Sequence, residues 1–226
     1  MAKTQMLFLP KDFNFRDIGG LKTNGGSHTK ARILYRSAQP TKIVGVTFQE
    51  LLKHHGIVTI IDLRSSEELG GSVLPDEAFE YHYRSIPLFP IINHSWVNPK
   101  DTSPEATSSR YFEMLEVGAV SIRRIIEQIV SEPDGGVLIH CAAGRDRTGI
   151  VIAVLLRLVN VEKGEIAFDY GKSNLVVSDG YFAQPDTIIH LLDLIDSKYG
   201  SIQDFMLSTG ILQQDLYLLK NRIVEK

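Results

Sequence analysis

Residues 137–149, reading Val-Leu-Ile-His-Cys-Ala-Ala-Gly-Arg-Asp-Arg-Thr-Gly, constrain the fold of this chain more than any other segment. The apolar run Val137 to His140, entered from the turn Pro133-Asp134-Gly135-Gly136, reads as a short buried strand, and Thr148 to Val159, apolar almost all round, reads as a helix packed on a sheet. Cys141 therefore falls at the carboxyl end of a strand, ahead of a loop of small residues and a helix start. In α/β sheets ligands bind outside the carboxyl ends of strands, and a helix N-terminus offers free N–H groups and partial positive charge to an anion. Five residues separate Cys141 from Arg147. That is enough chain to curl into a cradle whose amides, from Ala142 to Arg147, point inward as a nest. The result is a phosphate-sized site with a nucleophile at its floor.

Each residue type in the loop has a chemical reason. A free thiol, with a reference pKa of about 8.5, is converted to the reactive thiolate by a helix N-terminus and a nearby guanidinium, so Cys141 reads as the nucleophile. Arg147 supplies a planar fork able to hold two phosphoryl oxygens at once. Gly144 allows close backbone approach and positive φ, and Thr148 is placed to donate its hydroxyl toward the sulfur when a phosphocysteine is hydrolysed. His140 orders the loop by hydrogen bonds. Ala142, Ala143, Gly144, Arg145 and His140 form the expected substrate cradle. A lone Cys after an apolar strand is more commonly a small core residue, but here His-Cys, the five-residue spacing and Arg-Thr occur together.

The rest of the chain supplies an α/β frame. Arg32 to Tyr35, Ile57 to Leu63 and Tyr81 to Pro87 read as strands, and Thr47 to His55, with Thr47 as cap and Glu50 three residues on, reads as a helix between the first two. Alternating strands and helices predict a mostly parallel sheet flanked by helices. Leu88 to Pro104, with three prolines, two asparagines and the only Trp, reads as a long irregular loop. Glu105 to Val130 has helical spacing with a break near Gly118, and Glu162 to Ser173, Asp186 to Tyr199, Ile202 to Leu207 and Leu212 to Val224 make a helical second half. No repeat or linker divides the chain, so residues 1–226 are expected to form one domain.

Composition removes several classes of function. One cysteine among 226 residues leaves no internal disulfide and no multi-thiolate zinc site, which points to a reducing compartment. The 24 Lys and Arg against 27 Asp and Glu, a net charge of −3, include no basic run that would mark a nucleic-acid partner. The most apolar stretch, Ile150 to Leu156, stops at Arg157, far short of the ~20 residues of a membrane span, and the N-terminus lacks the apolar core and cleavage site of a signal peptide. A cytoplasmic protein without membrane insertion is expected, and the sequon at Asn93 is then idle.

The segment His140-Cys141 to Arg147-Thr148 resembles the signature loop of cysteine-dependent protein tyrosine phosphatases. More narrowly, the chain is similar to the bacterial tyrosine phosphatases noted for acting on phosphoproteins and phosphoinositides. Asn14-Phe15-Arg16-Asp17-Ile18-Gly19-Gly20, Leu34-Tyr35-Arg36-Ser37, and Ile61-Asp62-Leu63-Arg64-Ser65 with Glu67 and Glu68 also match that family's pattern. The resemblance implies a phosphatase fold and hydrolysis of phosphomonoesters through a phosphocysteine, with no metal or other cofactor. Its partner would be a phosphorylated protein or a small phosphorylated substrate.

The general acid has two candidates. Asp146 occupies the place at which the narrower family carries a loop Asp, and could protonate the leaving oxygen and then take a proton from water. Asp62, at the end of its strand, is the other, unless it pairs with Arg64. Asp101 is the only plausible carboxylate in the region where many relatives carry the acid, and Asp17 with Arg16 reads as a tie for the N-terminal segment. Arg145 stands where the narrower family has Lys. It either attracts a second phosphate at the loop rim or is a solvated charge.

Other signals are weaker. Gly164 with Gly171-Lys172-Ser173 has the wrong spacing for a nucleotide loop, His54 and His55 are adjacent and cannot chelate from one helix face, and Trp96, Phe89, Tyr111 and Phe112 read either as core or as a substrate mouth. Three alternatives to a protein tyrosine phosphatase stay open: a phosphatase of a small metabolite or inositol phosphate, a phospho-ligand-binding pseudophosphatase, and a rhodanese-like sulfurtransferase.

Overall fold

A computed structural model describes residues 13–40, 48–70, 81–89, 96, 100–132, 134–175 and 182–226. Five strands form one sheet: β1 (Arg16–Asp17), β2 (Leu34–Ser37), β3 (Ile57–Asp62), β4 (His82–Ser85) and β5 (Gly136–His140). Their order is β1-β2-β5-β3-β4, antiparallel between β1 and β2 and parallel elsewhere. The helices are α1 (Phe48–His55), α2 (Ser66–Leu69), α3 (Pro104–Ser131), α4 (Asp146–Leu158), α5 (Lys163–Gly171), α6 (Pro185–Tyr199), α7 (Ile202–Ser208) and α8 (Gln213–Ile223), with a 3₁₀ turn at Lys172–Leu175.

The central strand β5 is buried along its whole length, as a parallel strand covered on both faces must be. Alternation divides its side chains. Leu138 and Ile60 of β3 face a small cluster with Leu52 of α1, Tyr35 and Tyr83, while Val137, Ile139 and Ile61 face the large core built from α3 to α8. Register brings Ser37 and Asp62 level with His140. The carboxyl ends of β2, β3 and β5 thus meet at one edge, where the loop to α4 begins.

Two expectations are corrected. The strand expected from Arg32 starts at Leu34, because Arg32 takes a left-handed φ of 65° with its N–H donated to Asp17 Oδ2 at 2.7 Å. Helix α3 runs through Gly118 unbroken, since a Cβ there would lie 2.7 Å from Leu88 Cδ1, so the glycine serves close packing. The other elements expected from the sequence agree to within one or two residues, whereas β1 and α2 were not expected as a strand and a helix. Thr47, Asn93 and most of the stretch from Leu88 to Pro104 lie outside the described residues.

Candidate active site

The loop between β5 and α4 closes on the sulfur. Cys141 is buried, and the Gly144 N–H donates to Sγ at 3.3 Å. Gly144 has φ +67°, and a Cβ on it would stand 2.3 Å from the Ser37 carbonyl oxygen, so only glycine fits against β2. The first turn-closing bond of α4 runs from Gly149 N–H to the Arg145 carbonyl at 2.7 Å. Amides ahead of it are not consumed by the helix. Among the described residues no group of three His, Cys, Asp or Glu side chains could hold a metal ion.

A buried ionic network holds the loop from behind. Arg36, wholly buried on β2, donates to the Gly144 carbonyl at 2.8 Å and to Asp169 Oδ2 at 2.7 Å. Arg16 donates to Asp169 Oδ1 at 2.6 Å, and Asn14 Nδ2 donates to the Gly144 carbonyl at 2.8 Å. Burial would raise the Asp169 carboxyl, but Arg36 and Arg16 outweigh it and hold the group below the usual range. Burial and the like charge of Arg36 pull Arg16 down to about 10 despite Asp169. Gly144's carbonyl is held by Arg36 and Asn14, while its N–H turns to the sulfur. Ser173, from the segment set aside as an imperfect nucleotide loop, is buried in this network, 3.3 Å from Asn14 Nδ2.

Arg147 is aimed by a carboxylate. Its Nη1 and Nη2 donate to Glu68 Oε2 and Oε1 at 2.5 and 2.6 Å, and its guanidinium lies 5.8 Å from the Phe89 ring centre. Glu68 is fixed by a capping box, with the Ser65 N–H donating to Oε2 at 2.9 Å. Burial alone would lower the Arg147 pKa, but the charges of Cys141 and Glu68 raise it, so the guanidinium stays cationic. Two of its five N–H donors, one on each Nη, are engaged by Glu68, which leaves the Nε–H and the second N–H of each Nη.

The two acid candidates sit in different environments. Asp62 is fully buried and accepts from Arg64 Nη2 at 2.7 Å, from the Arg64 N–H at 2.9 Å and from the Tyr83 hydroxyl at 2.8 Å. Burial pushes its carboxyl up, yet the Arg64 hydrogen bonds and His140 prevail and hold it low. An ionised carboxylate with these partners has no proton to give at neutral pH. Asp146, the first residue of α4, is part-exposed. Its Oδ1 accepts from the Tyr111 hydroxyl, and Arg145 Nε approaches Oδ2 at 3.3 Å. Arg145 is thereby corrected from a rim charge to a buried side chain folded onto Asp146.

Thr148 is buried, and its hydroxyl has no hydrogen-bond partner among the described residues, the sulfur included. Ala142 contributes its carbonyl, which accepts from the Gln39 N–H at 3.1 Å. His140 Nδ1 lies 3.3 Å from the Cys141 carbonyl, and Nε2 lies 3.5 Å from Asp62 Oδ2, too long for a good hydrogen bond. Complete burial lowers the His140 pKa from 6.5 to about 4, with Asp62 opposing only in part. The unfolded chain therefore binds the proton first, and stability present above pH 6.5 is lost as pH falls toward 4. Urea denaturation should show wild type losing about 2 kcal/mol more than His140→Asn between pH 7 and pH 5. Equal losses would mean that His140 is not held neutral.

The remaining candidates lie elsewhere. Asp101 accepts from the Ser103 N–H at 2.8 Å at the start of α3, and Asp17 accepts from the Gly19 and Arg32 amides rather than pairing with Arg16. Trp96 meets Phe89 edge-on at 5.0 Å, and Phe112 packs beside Tyr199 under Lys198. His55 is packed between Phe15 and Tyr35 rather than free at the surface. Glu68, Asp169, Tyr111 and Tyr170 are the supporting residues to which the sequence reading gave no such role. Asp169 left a trace, as a carboxylate among Ile166, Ala167 and Tyr170 on an otherwise buried helix face.

The model of the tyrosine phosphatase family matches residues 7–225 of this chain. A tyrosine-protein phosphatase of Nostoc commune is 26% identical over 197 residues, which cover 74% of this chain and 66% of the relative, just under two thirds of its length. The triple specificity protein phosphatase PtpB of Mycobacterium tuberculosis is 27% identical over 202 residues, 74% of this chain and 68% of the relative. Among solved structures, the Siw14 catalytic core is similar with a TM-score of 0.49 and 16% identity, covering 93% of this chain and 98% of that one.

Proposed function

Since this chain belongs to the tyrosine phosphatase family, we propose that it hydrolyses phosphomonoesters through a phosphocysteine on Cys141, with phosphotyrosine in proteins as the substrate. The observation that carries this reading is the Gly144 N–H bonded to Cys141 Sγ at the mouth of α4, with Arg147 and Asp146 in the helix's first turn. The Cys141 thiolate attacks phosphorus from the side opposite the ester oxygen, and the P–O bond breaks as Asp146 delivers its proton to the departing oxygen. Water then attacks the phosphocysteine. Asp146 takes the water's proton, the S–P bond breaks, and the thiolate leaves with the Thr148 hydroxyl available to stabilise it. Arg147 holds the equatorial oxygens, and the amides from Ala142 and Ala143 through Arg145 complete the cradle.

Asp146 is preferred to Asp62 because it has an exposed edge and a modest set of partners, whereas Asp62 is locked to Arg64. Asp62 is then a positioning group for the strand end. A protein substrate is preferred to an inositol ring because Arg145 is buried, with its Nε 3.3 Å from Asp146 Oδ2. The reading takes residues 1–226 as one phosphatase domain working in the cytoplasm. Among the described residues no helix is long and apolar enough to cross a membrane.

Turnover of p-nitrophenyl phosphate in EDTA separates this reading from a phosphate-binding module, which would bind without turnover. Asp146→Asn is expected to lower kcat by about 10²-fold or more for alkyl phosphates and far less for p-nitrophenyl phosphate, whose phenolate needs little protonation. Asp62→Asn should change stability and leave the dependence on leaving group unaltered. The reverse pattern would move the acid to β3.

A further inference from the structure

We propose that Tyr111 and Tyr170, two buried tyrosines on α3 and α5, are positioning residues for the general acid: their paired hydroxyls hold one oxygen of Asp146 and leave the other to carry the proton. The inference rests on Asp146 being the acid. Tyr111 and Tyr170 are both nearly inaccessible. Their hydroxyl oxygens are 2.7 Å apart and their rings meet at 88°, 6.3 Å between centroids. The Tyr111 hydroxyl donates to Asp146 Oδ1. A hydroxyl has one proton, so the direction of the chain is determined: Tyr111 gives its proton to Asp146, and Tyr170 gives its own to the Tyr111 oxygen. Asp146 Oδ1 takes the tyrosine bond, and Oδ2, which Arg145 Nε approaches only at 3.3 Å, is the oxygen assigned to proton transfer.

The arrangement does what the local backbone cannot. Asp146 opens α4 in a position where a short side chain would otherwise rotate freely, and the N-cap, Arg145, makes no side-chain capping bond. Arg145 Nε stands 3.4 and 3.3 Å from the two carboxyl oxygens. These distances are long enough to balance charge without fixing the rotamer. Tyr111 restrains it, from a helix that spans the core, and Tyr170 restrains Tyr111. Gly149, one helical turn on from Arg145, makes the approach possible: a Cβ there would lie 2.9 Å from Cδ2 and Cε2 of the Tyr170 ring. Helices α3 and α5 thus reach the chemistry through two hydroxyls.

The test uses Tyr111→Phe and Tyr170→Phe, which keep the buried rings and remove only oxygen. Rates are measured across aryl and alkyl phosphates of rising leaving-group pKa, with Asp146→Asn alongside. Tyr111→Phe is expected to lower kcat by about 10-fold or more for alkyl phosphates, with little change for p-nitrophenyl phosphate or in KM. Tyr170→Phe should give a smaller loss with the same slope. In the Asp146→Asn background, Tyr111→Phe should cost nothing further. A uniform loss on all substrates would assign Tyr111 to loop packing and overturn the proposal. A steep Tyr111→Phe beside a flat Asp146→Asn would also overturn it, by making Tyr111 itself the acid. Asp146→Asn steep and Tyr111→Phe flat would sink the positioning role alone and leave the acid assignment intact. Should Tyr111→Phe not fold, Tyr170→Phe and the same slopes decide the matter.

Discussion

Cys141→Ser is expected to abolish turnover, by at least about 10⁴-fold, while vanadate and phosphate still bind. A serine hydroxyl is not ionised near neutral pH, and of the described residues near it Glu68 is bound to Arg147, Asp62 to Arg64, and His140 points Nδ1 at the Cys141 carbonyl, while Asp146 is held by Tyr111. The anion cradle does not depend on sulfur. Gly144's carbonyl remains held by Arg36 and Asn14, and Arg147 remains aimed by Glu68. Initial rates on p-nitrophenyl phosphate, with calorimetric titration of vanadate, separate the two effects. More than a few per cent of residual activity would refute a phosphocysteine intermediate, and loss of vanadate binding would show that the substitution had disturbed the loop.

Arg147→Lys is expected to cost about 10³-fold in kcat. Both Nη atoms of the guanidinium reach Glu68, and three of its five N–H donors are left over from that pair for a phosphoryl group. An ammonium is a single point of charge and cannot span Glu68 and a phosphoryl group in fixed geometry. Because Glu68 is itself tied into the capping box of α2, the lysine would be drawn toward the carboxylate. Glu68→Gln provides the comparison: it keeps the fork and removes the charge that aims it, so a loss of about 10-fold is expected, carried mainly in KM. If Arg147→Lys retained activity within about tenfold of wild type, bidentate contact would not be what Arg147 contributes.

The strand, loop and helix around Cys141 were legible because their signals are local. Three apolar residues and His140, a run of small ones and an apolar helix state their conformations locally, and the place of Cys141 follows from where strand ends lie in parallel sheets. Gly144 was legible as a residue type, although the obstacle that demands it, the Ser37 carbonyl, belongs to another strand. Arg145 was read as a rim charge because nothing in its neighbours along the chain says that it folds back under burial onto Asp146. Spacing could not show that Asp62 is locked to Arg64 and Tyr83 while Asp146 meets Tyr111, because those partners are set by the fold.

The sequence alone determined the α/β class, the position of the thiol at a strand end and the tight loop into a helix, since backbone periodicity and turn chemistry act over a few residues. Tertiary structure alone decided what holds that loop and readies it. Asp169 lies 133 residues from Arg36, Glu68 lies 79 from Arg147, and Tyr170 lies 59 from Tyr111. Such pairs leave little local pattern, because an aspartate or tyrosine on a buried helix face is satisfied equally well by many partners, and only the packing of α3 and α5 against the end of the sheet selects one.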